Sequence, residues 1–400
     1  MAYYDALETR SADARSADLA RALPEQIARA QALPGFDLGE IDANAITSPE
    51  ALTQLPVLRK SELGARQKAS PPFGGYVGPD FDHVFQSPGP LYEPGRVSHD
   101  WWRLGRFLHA ASFGPDDIVQ NCFSYHLTPA GMMFENGARA VGAKVLPAGI
   151  GQTELQAQAA CDVGVTGYAG TPDYLNIILE KADEMGLALS ITKAAVSGGA
   201  LFPSLRQAYA DRGISCTQCY GTADLGNIAY ESDAMEGMIV DEGVIVEIVT
   251  PGTGNPVAPG EVGEVLVTTL NPDYPLIRFA TGDMSAVLEG QSPCGRTNMR
   301  IKGWMGRADQ TTKIKGMFVR PEQVAALVDR HPEISRARVI ATRDGEMDAM
   351  TVRIEAEGGD PAAYDQSVAD VLKLRGKVEV VAPGTLPNDG LVIDDQRSYD

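Results

Sequence analysis

The runs DIVQNCF (117–123), AKVLPAG (143–149), VTGYAG (165–170) and KAAVSGG (193–199) decide the fold class. Each is a short apolar stretch bordered by Gly, Pro or Asp, and helical segments separate them. That rhythm belongs to βα units in a mainly parallel sheet. Working outward, GMIVDEGVIVEIVTPGTGNPVAPGEVGEVLVTTL (237–270) has β-branched runs split by a Pro/Gly-rich turn, which reads as antiparallel hairpin material. Upstream, the spacing of Leu19, Leu23, Ile27 and Ala28 predicts an amphipathic helix over 11–30, and LPVLRKSEL (55–63) begins another after a proline. Downstream of Gly306 a small α+β module follows. Its helices are marked by Pro321 before EQVAALV, and by Asp360 and Pro361 ahead of Tyr364, Val368, Val371 and Leu372. The reading is an α/β protein with a large N-terminal domain over 1–305 and a small α+β C-terminal domain over 306–400.

Composition narrows the partners. At 400 residues, 44% apolar and 22% charged, the chain has ample length for a large core and a second domain. A formal net charge of -19 repels nucleic acid and anionic membrane, so small molecules are the expected partners. MAYYDALETR (1–10) has charges where a secretory signal needs an apolar core, and no apolar run approaches the roughly 20 residues that span a bilayer, so a cytoplasmic protein is expected. Five cysteines do not make a disulfide framework in so long a chain.

Three motifs carry the chemistry: YGTADLG (220–226), PLIRFATGD (275–283) and GRADQTTKIKGMFVRPEQV (306–324). Their order and spacing resemble the phenylacetate-CoA ligase branch of the adenylate-forming enzymes, and the resemblance extends through 117–156 and GTPDYL (170–175) to cover nearly the whole chain from about residue 15. It implies a large N-terminal α/β domain, a mobile C-terminal domain and a homodimer. Two half-reactions share one cleft: a carboxylate attacks ATP to give an acyl adenylate, then CoA displaces AMP. It also implies roles for residues. Asp283 would hold the ribose hydroxyls and Arg307 would reach the same sugar. Tyr220, followed by Gly221, would stack on adenine. Ser197, Gly198, Gly199 and Ala200 would pass along the ring, where glycines permit close backbone approach, with an ordinary strand-to-helix turn as the alternative. Asp309 stands at the hinge position. Tyr125, His126 and Phe123 would line the acyl pocket, and a histidine there can transfer protons at neutral pH. A pocket-lining histidine without catalytic duty is the alternative. His83, His99, His109 and His331 read as surface or loop residues.

The triphosphate machinery departs from that pattern. The family's phosphate loop, SSGTTGKP, falls on Ser87, Pro88, Gly89, Pro90, Leu91, Tyr92, Glu93 and Pro94. Both threonine hydroxyls are gone, two prolines remove N–H donors, and Glu93 replaces the lysine that met polyphosphate; a simple turn is the alternative reading. The expected result is a degenerate loop that repels the β- and γ-phosphates. In YGTAD the hydroxyl before the acid is Ala223, and the magnesium-binding glutamate is the shorter Asp224. Leu391 stands where the family's catalytic lysine acts; Lys377 is the nearest lysine and is not expected to substitute. Positions that hold a structural zinc in some relatives read Ser232, Ile239, Ser292 and Cys294, so no zinc is expected. Cys216 and Cys219 form a CxxC that reads as structural.

These residues leave three functions. The first is an enzyme that accepts an already activated aryl or acyl group, as a CoA thioester or an AMP-type adenylate, for transfer, condensation, cyclisation or hydrolysis, with activation by ATP and magnesium lost. The second is an ATP-dependent aryl-carboxylate-CoA ligase with an unusual loop. The third is a non-catalytic acyl-binding or ligase-partner protein.

Overall fold

The computed structural model describes residues 3–87, 90–199, 201–308, 312–315, 317–344, 347–387 and 391–397. The chain divides into two compact units: 1–281 with 286–303, and 282–285 with 304–400.

The predicted first helix is Ala12–Gln31. Ser11 caps it, its hydroxyl accepting the Ala14 N–H at 3.2 Å. Leu23, Ile27 and Ala30 are buried, whereas Ala28 is exposed. The stripe is completed instead by Gln26, which donates to the carbonyls of Thr269 and Asn271 at 2.8 Å each. A polar side chain belongs to the buried face here because it satisfies two backbone acceptors.

The four apolar runs form the strands Ile118–Asn121, Lys144–Pro147, Gly167–Gly170 and Lys193–Val196, each followed by a helix: Ala130–Ala140, Thr153–Val163, Pro172–Glu184 and Pro203–Asp211. Two of these helices begin with proline, whose missing N–H costs nothing at that position. The strands pair in parallel, with Ser215–Thr222 added beside Lys193–Val196. From Ser215–Thr222 the chain turns back into antiparallel pairing with Gly226–Tyr230, then through Met238–Val240 and Arg300–Ile301 to Phe279–Leu288. The hairpin read over 237–270 is Val244–Val249 against Val262–Thr269. Together these strands and Leu58–Arg59 make a twelve-stranded mixed sheet among the described residues. Its buried faces are filled from both sides; one cluster joins Leu63, Leu91, Tyr220, Leu225 and Phe279.

In the second unit, strands Ile334–Asp344 and Met347–Ala356 pair antiparallel, flanked in parallel by Ile393–Asp395 and Lys377–Val381. Helices Pro321–Arg330 and Ala362–Leu372 start where their prolines predict. They pack Val324, Leu327, Val368 and Leu372 against Val339 and Val352.

Candidate active site

The stretch 84–95 folds as a hairpin. His83–Ser87 and Leu91–Gly95 pair antiparallel, with Ser87 opposite Leu91 and Phe85 opposite Glu93. Pro88 and Gly89 lie outside the described residues. Alternation turns Phe85, Ser87, Leu91 and Glu93 inward and leaves Val84 and Tyr92 exposed. Gln67, on the helix Lys60–Ala69, clasps the Tyr92 main chain: its Nε2 donates to the carbonyl at 2.7 Å and its Oε1 accepts the N–H at 2.9 Å. A phosphate-wrapping loop needs free backbone N–H groups. The amide at 92 is already committed.

Glu93 is fully buried. The Ser87 hydroxyl donates to its Oε1, and its Oε2 has no hydrogen-bond partner among the described residues. Burial first, then the neighbouring Asp224 charge, push this carboxyl up to about 8, so at neutral pH it is largely protonated. This corrects the expected electrostatic repulsion. Glu93 fills the position as a neutral acid rather than presenting a negative charge to a ligand.

Asp224 lies in the turn between Ser215–Thr222 and Gly226–Tyr230. Gly226 has φ +72, and a Cβ there would meet the Trp102 carbonyl oxygen at 2.6 Å, so only glycine closes this turn. The turn leaves Asp224 only 5% exposed, with Lys60 Nζ 2.6 Å from its Oδ2. Its Oδ1 has no hydrogen-bond partner among the described residues. Magnesium asks for near-octahedral oxygen ligation. Asp224 Oδ2 is already held by the Lys60 ammonium, so a magnesium ion at Asp224 would have to take Oδ1 or displace Lys60.

The residues read from the sequence as a nucleoside pocket are more regular. Ser197, Gly198 and Gly199 follow the strand Lys193–Val196, and Ser197 Oγ donates to the Cys219 carbonyl at 3.0 Å. Gly198 adopts φ +71 and both glycines are exposed, leaving a bare backbone edge of the kind a flat ring can approach. Ala200 lies outside the described residues. Gly221 packs against the returning chain; a Cβ there would meet Gly226 O at 2.6 Å. Tyr220 is 8% exposed, and its hydroxyl lies 3.2 Å from Thr281 Oγ1. In the second unit, Asp283 Oδ1 accepts from Trp304 Nε1 at 3.1 Å and from Arg307 Nη1 at 3.4 Å. The predicted ribose pair therefore forms as a pair. Asp309 lies outside the described residues, Leu391 is exposed, and Lys377 is occupied by Glu379 at 2.7 Å.

Of the three acyl-pocket candidates, Phe123 is a core residue stacked on Phe134 with ring centroids 4.2 Å apart, Tyr125 is held by a hydrogen bond, and the His126 ring is not engaged among the described residues. Tyr125 OH accepts from Asn121 Nδ2 at 2.7 Å, and Asn121 Nδ2 also donates to the Gly131 carbonyl at 2.7 Å. Burial and Glu135 raise the Tyr125 hydroxyl above its ordinary range. His126 is exposed, and its ring makes no hydrogen bond among the described residues. Asn121 and Lys60 escaped the sequence reading, since their partners are fixed only by the fold. His83, read as a surface or loop residue, instead sits in a strand with its Nδ1 buried.

The cysteines are free thiols. Burial pushes Cys216 and Cys219 each up to about 12. Of the zinc positions, Cys294 is bonded to Ser292 Oγ at 3.0 Å and to Arg296 Nη1 at 3.6 Å, and Ile239 is a core residue. No cluster of three His, Cys, Asp or Glu side chains able to hold a metal occurs among the described residues. Likewise, no helix among them is long and apolar enough to cross a membrane.

The family model described as "AMP-binding enzyme" matches residues 100–271, the stretch that holds the parallel strands and the glycine edge after Lys193–Val196. Within that class the chain belongs to the phenylacetate-coenzyme A ligase branch. It is 30% identical to the phenylacetate-coenzyme A ligase of Escherichia coli, over 77% of this chain and 75% of that one. Against the Thermus thermophilus ligase the identity is 26%, covering 90% and 85%. Among solved structures it is similar to a 2-hydroxyisobutyryl-CoA ligase in the postadenylation state in complex with 2-HIB-AMP. That match has a TM-score of 0.82 at 24% identity and covers 97% of this chain and 91% of the other.

Proposed function

We propose that this enzyme acts on an already activated aryl or acyl group, presented as a CoA thioester or an acyl adenylate, and that it has given up ATP-dependent activation. The observation that carries this is the Lys60–Asp224 ion pair beside the neutral, fully buried Glu93. At the positions where the family neutralises polyphosphate with a lysine and magnesium, this chain has satisfied its own charges internally. The open glycine edge at 198–199 and the Asp283–Arg307 pair support retention of an AMP-like moiety. The acyl side is supported by Tyr125, oriented by Asn121. Relatives that are CoA ligases keep CoA as the expected thiol carrier.

The competing reading is an ATP-dependent aryl-carboxylate-CoA ligase, favoured by likeness to such ligases over most of the chain. Ligand-induced stabilisation separates the two, because the melting shift follows RT ln(1 + [L]/Kd). ATP with magnesium at low-millimolar concentration should raise the melting temperature little. An acyl-adenylate analogue or an aryl-CoA should raise it more. A large shift with ATP, accompanied by exchange of labelled pyrophosphate into ATP, would return the chain to the ordinary ligases.

A further inference from the structure

Between the hairpin 83–95 and the helix Gly105–Ala110, two residues other than glycine adopt the left-handed backbone region: Asp100 at φ 48 and Arg103 at φ 62. Glycine takes up this conformation without steric cost and asparagine tolerates it, whereas a long side chain gains nothing from it. Strain of this kind persists only where the surrounding structure holds it, and it concentrates at functional sites. At 103 the turn alone favours glycine, so the side chain is what calls for arginine.

That side chain runs to the turn that carries Asp224. Arg103 Nη2 donates to the Leu225 carbonyl and, at 3.2 Å, to the Asn227 carbonyl, the two groups that flank Gly226. Its Nε lies 3.2 Å from Oδ1 of Asp241, whose side chain is wholly buried. The main chain closes the same contact: the Asn227 N–H donates to the Trp102 carbonyl at 2.9 Å, and Asn227 Nδ2 donates to the Arg103 carbonyl at 3.3 Å. Gly243 makes room for the side chain, since a Cβ there would meet Arg103 Cδ at 2.3 Å. Asp241 also pairs with Arg106 at 3.2 Å, and Arg106 pairs with Asp5, so the anchor is itself held.

We infer that Arg103 is a positioning residue of the candidate active site: its guanidinium grips the carbonyls on both sides of Gly226 and so fixes Asp224, directly before Leu225, where its carboxylate meets Lys60. Two carbonyls and a carboxylate surround the side chain, and a planar guanidinium meets them from two nitrogens, which the single point of a lysine ammonium does not. Asp224 pairs with Lys60 at 2.6 Å, and its charge acts on Glu93, so Arg103 reaches both groups through Asp224. This role rests on the reading of Lys60, Asp224 and Glu93 as charges satisfied within the protein, and it names the residue that holds them in place.

The test uses the full chain and a double-mutant cycle of Lys60→Met and Asp224→Asn, run in the parent and again in an Arg103→Gly background. Glycine suits the left-handed turn, so this background should fold. Arg103→Lys, which keeps a cation beside Asp241, serves as a second background. In the parent the pair should be coupled by about fivefold or more in the folding equilibrium constant, and in both backgrounds the coupling should fall below about twofold. Loss of a merely structural contact would lower the stability of all four proteins in a cycle alike and leave the coupling as it was. That result overturns the positioning role, as does an uncoupled pair in the parent. A second readout is the difference in melting temperature between Glu93 and Glu93→Gln proteins from about pH 5 to 9, measured with and without Arg103→Gly. With Asp224 displaced, one of the charges that raise Glu93 is gone, so the pH at which the difference levels off should move down from about 8. An unmoved profile contradicts the role. Neither measurement contains nucleotide: a large ATP shift would overturn the proposed reaction and leave Arg103 in place, whereas persistent coupling would do the reverse.

Discussion

Lys60 Nζ lies 2.6 Å from Asp224 Oδ2 across 164 residues of sequence, and the Asp224 side chain is wholly buried while that of Lys60 is 27% exposed. The helix Lys60–Ala69 and the turn after Ser215–Thr222 are thereby joined at one charge pair. Removing the cation strands a buried carboxylate, which costs several kcal/mol in a dry site; partial exposure of the lysine reduces this. Lys60→Met should therefore lose about 2–3 kcal/mol in urea unfolding. Adding Asp224→Asn should recover part of it, giving a coupling of about 1 kcal/mol or more. Strict additivity of the two changes would show that the pair does not stabilise the fold.

Glu93 gives stability a defined pH dependence. Its folded carboxyl, at about 8, lies above the ordinary value of 4.5, so between those values the folded protein holds a proton that the unfolded chain releases. The contribution is fully present below about 4.5 and is lost as pH rises through about 8. Glu93→Gln keeps the neutral form at every pH and can still accept from Ser87. Relative to the parent, the variant should gain stability as pH rises across this window, by at most about 1.4 kcal/mol per pH unit. Melting temperatures from pH 5 to 9 test this, and a pH-independent difference between the two proteins contradicts it.

The acyl-pocket pair should separate on mutation. Asn121 is 1% exposed and holds both the Tyr125 hydroxyl and the Gly131 carbonyl, so Asn121→Ala should cost about 2–3 kcal/mol. Exposed His126 should tolerate alanine within about 0.5 kcal/mol. If the pocket takes an acyl group, Tyr125→Phe should lower turnover of an aryl-CoA panel more than His126→Ala does. The reverse order would restore His126 as the catalytic residue.

Much of the fold was legible because it depends on local patterning. The apolar runs at 117–123, 143–149, 165–170 and 193–199 became parallel strands, and Pro321 opened its helix. The first helix was placed correctly, but Ala28 was counted as core although Gln26 fills that face through two long-range backbone bonds. The site was less legible for the same reason. Glu93 reads as a charge in sequence, and only burial beside Asp224 makes it neutral. Asn121 and Lys60 have no local signature, since their roles arise from partners fixed by the fold. A cavity next to Tyr125 unites residues from 83 to 140, including a histidine that alone suggested only a surface position.

On the proposed reading, a single Leu391→Lys change should not produce adenylation. Leu391, which the sequence reading sets at the family's catalytic-lysine position, is 40% exposed, so Leu391→Lys should be tolerated with little change in stability. A lysine there can stabilise developing charge only on an α-phosphate that is already oriented. The hairpin 83–95 commits the Tyr92 amide to Gln67, and Asp224 is already held by Lys60. Groups that act as a unit are strongly non-additive, so the single variant should leave carboxylate-dependent exchange of labelled pyrophosphate into ATP at background. Rebuilding 87–94 as the family loop, with Asp224→Glu and Leu391→Lys, should yield measurable exchange if the rebuilt chain folds. Robust exchange by Leu391→Lys alone, with any aryl acid, would mean that the hairpin still admits the triphosphate and that a missing lysine was the sole lesion.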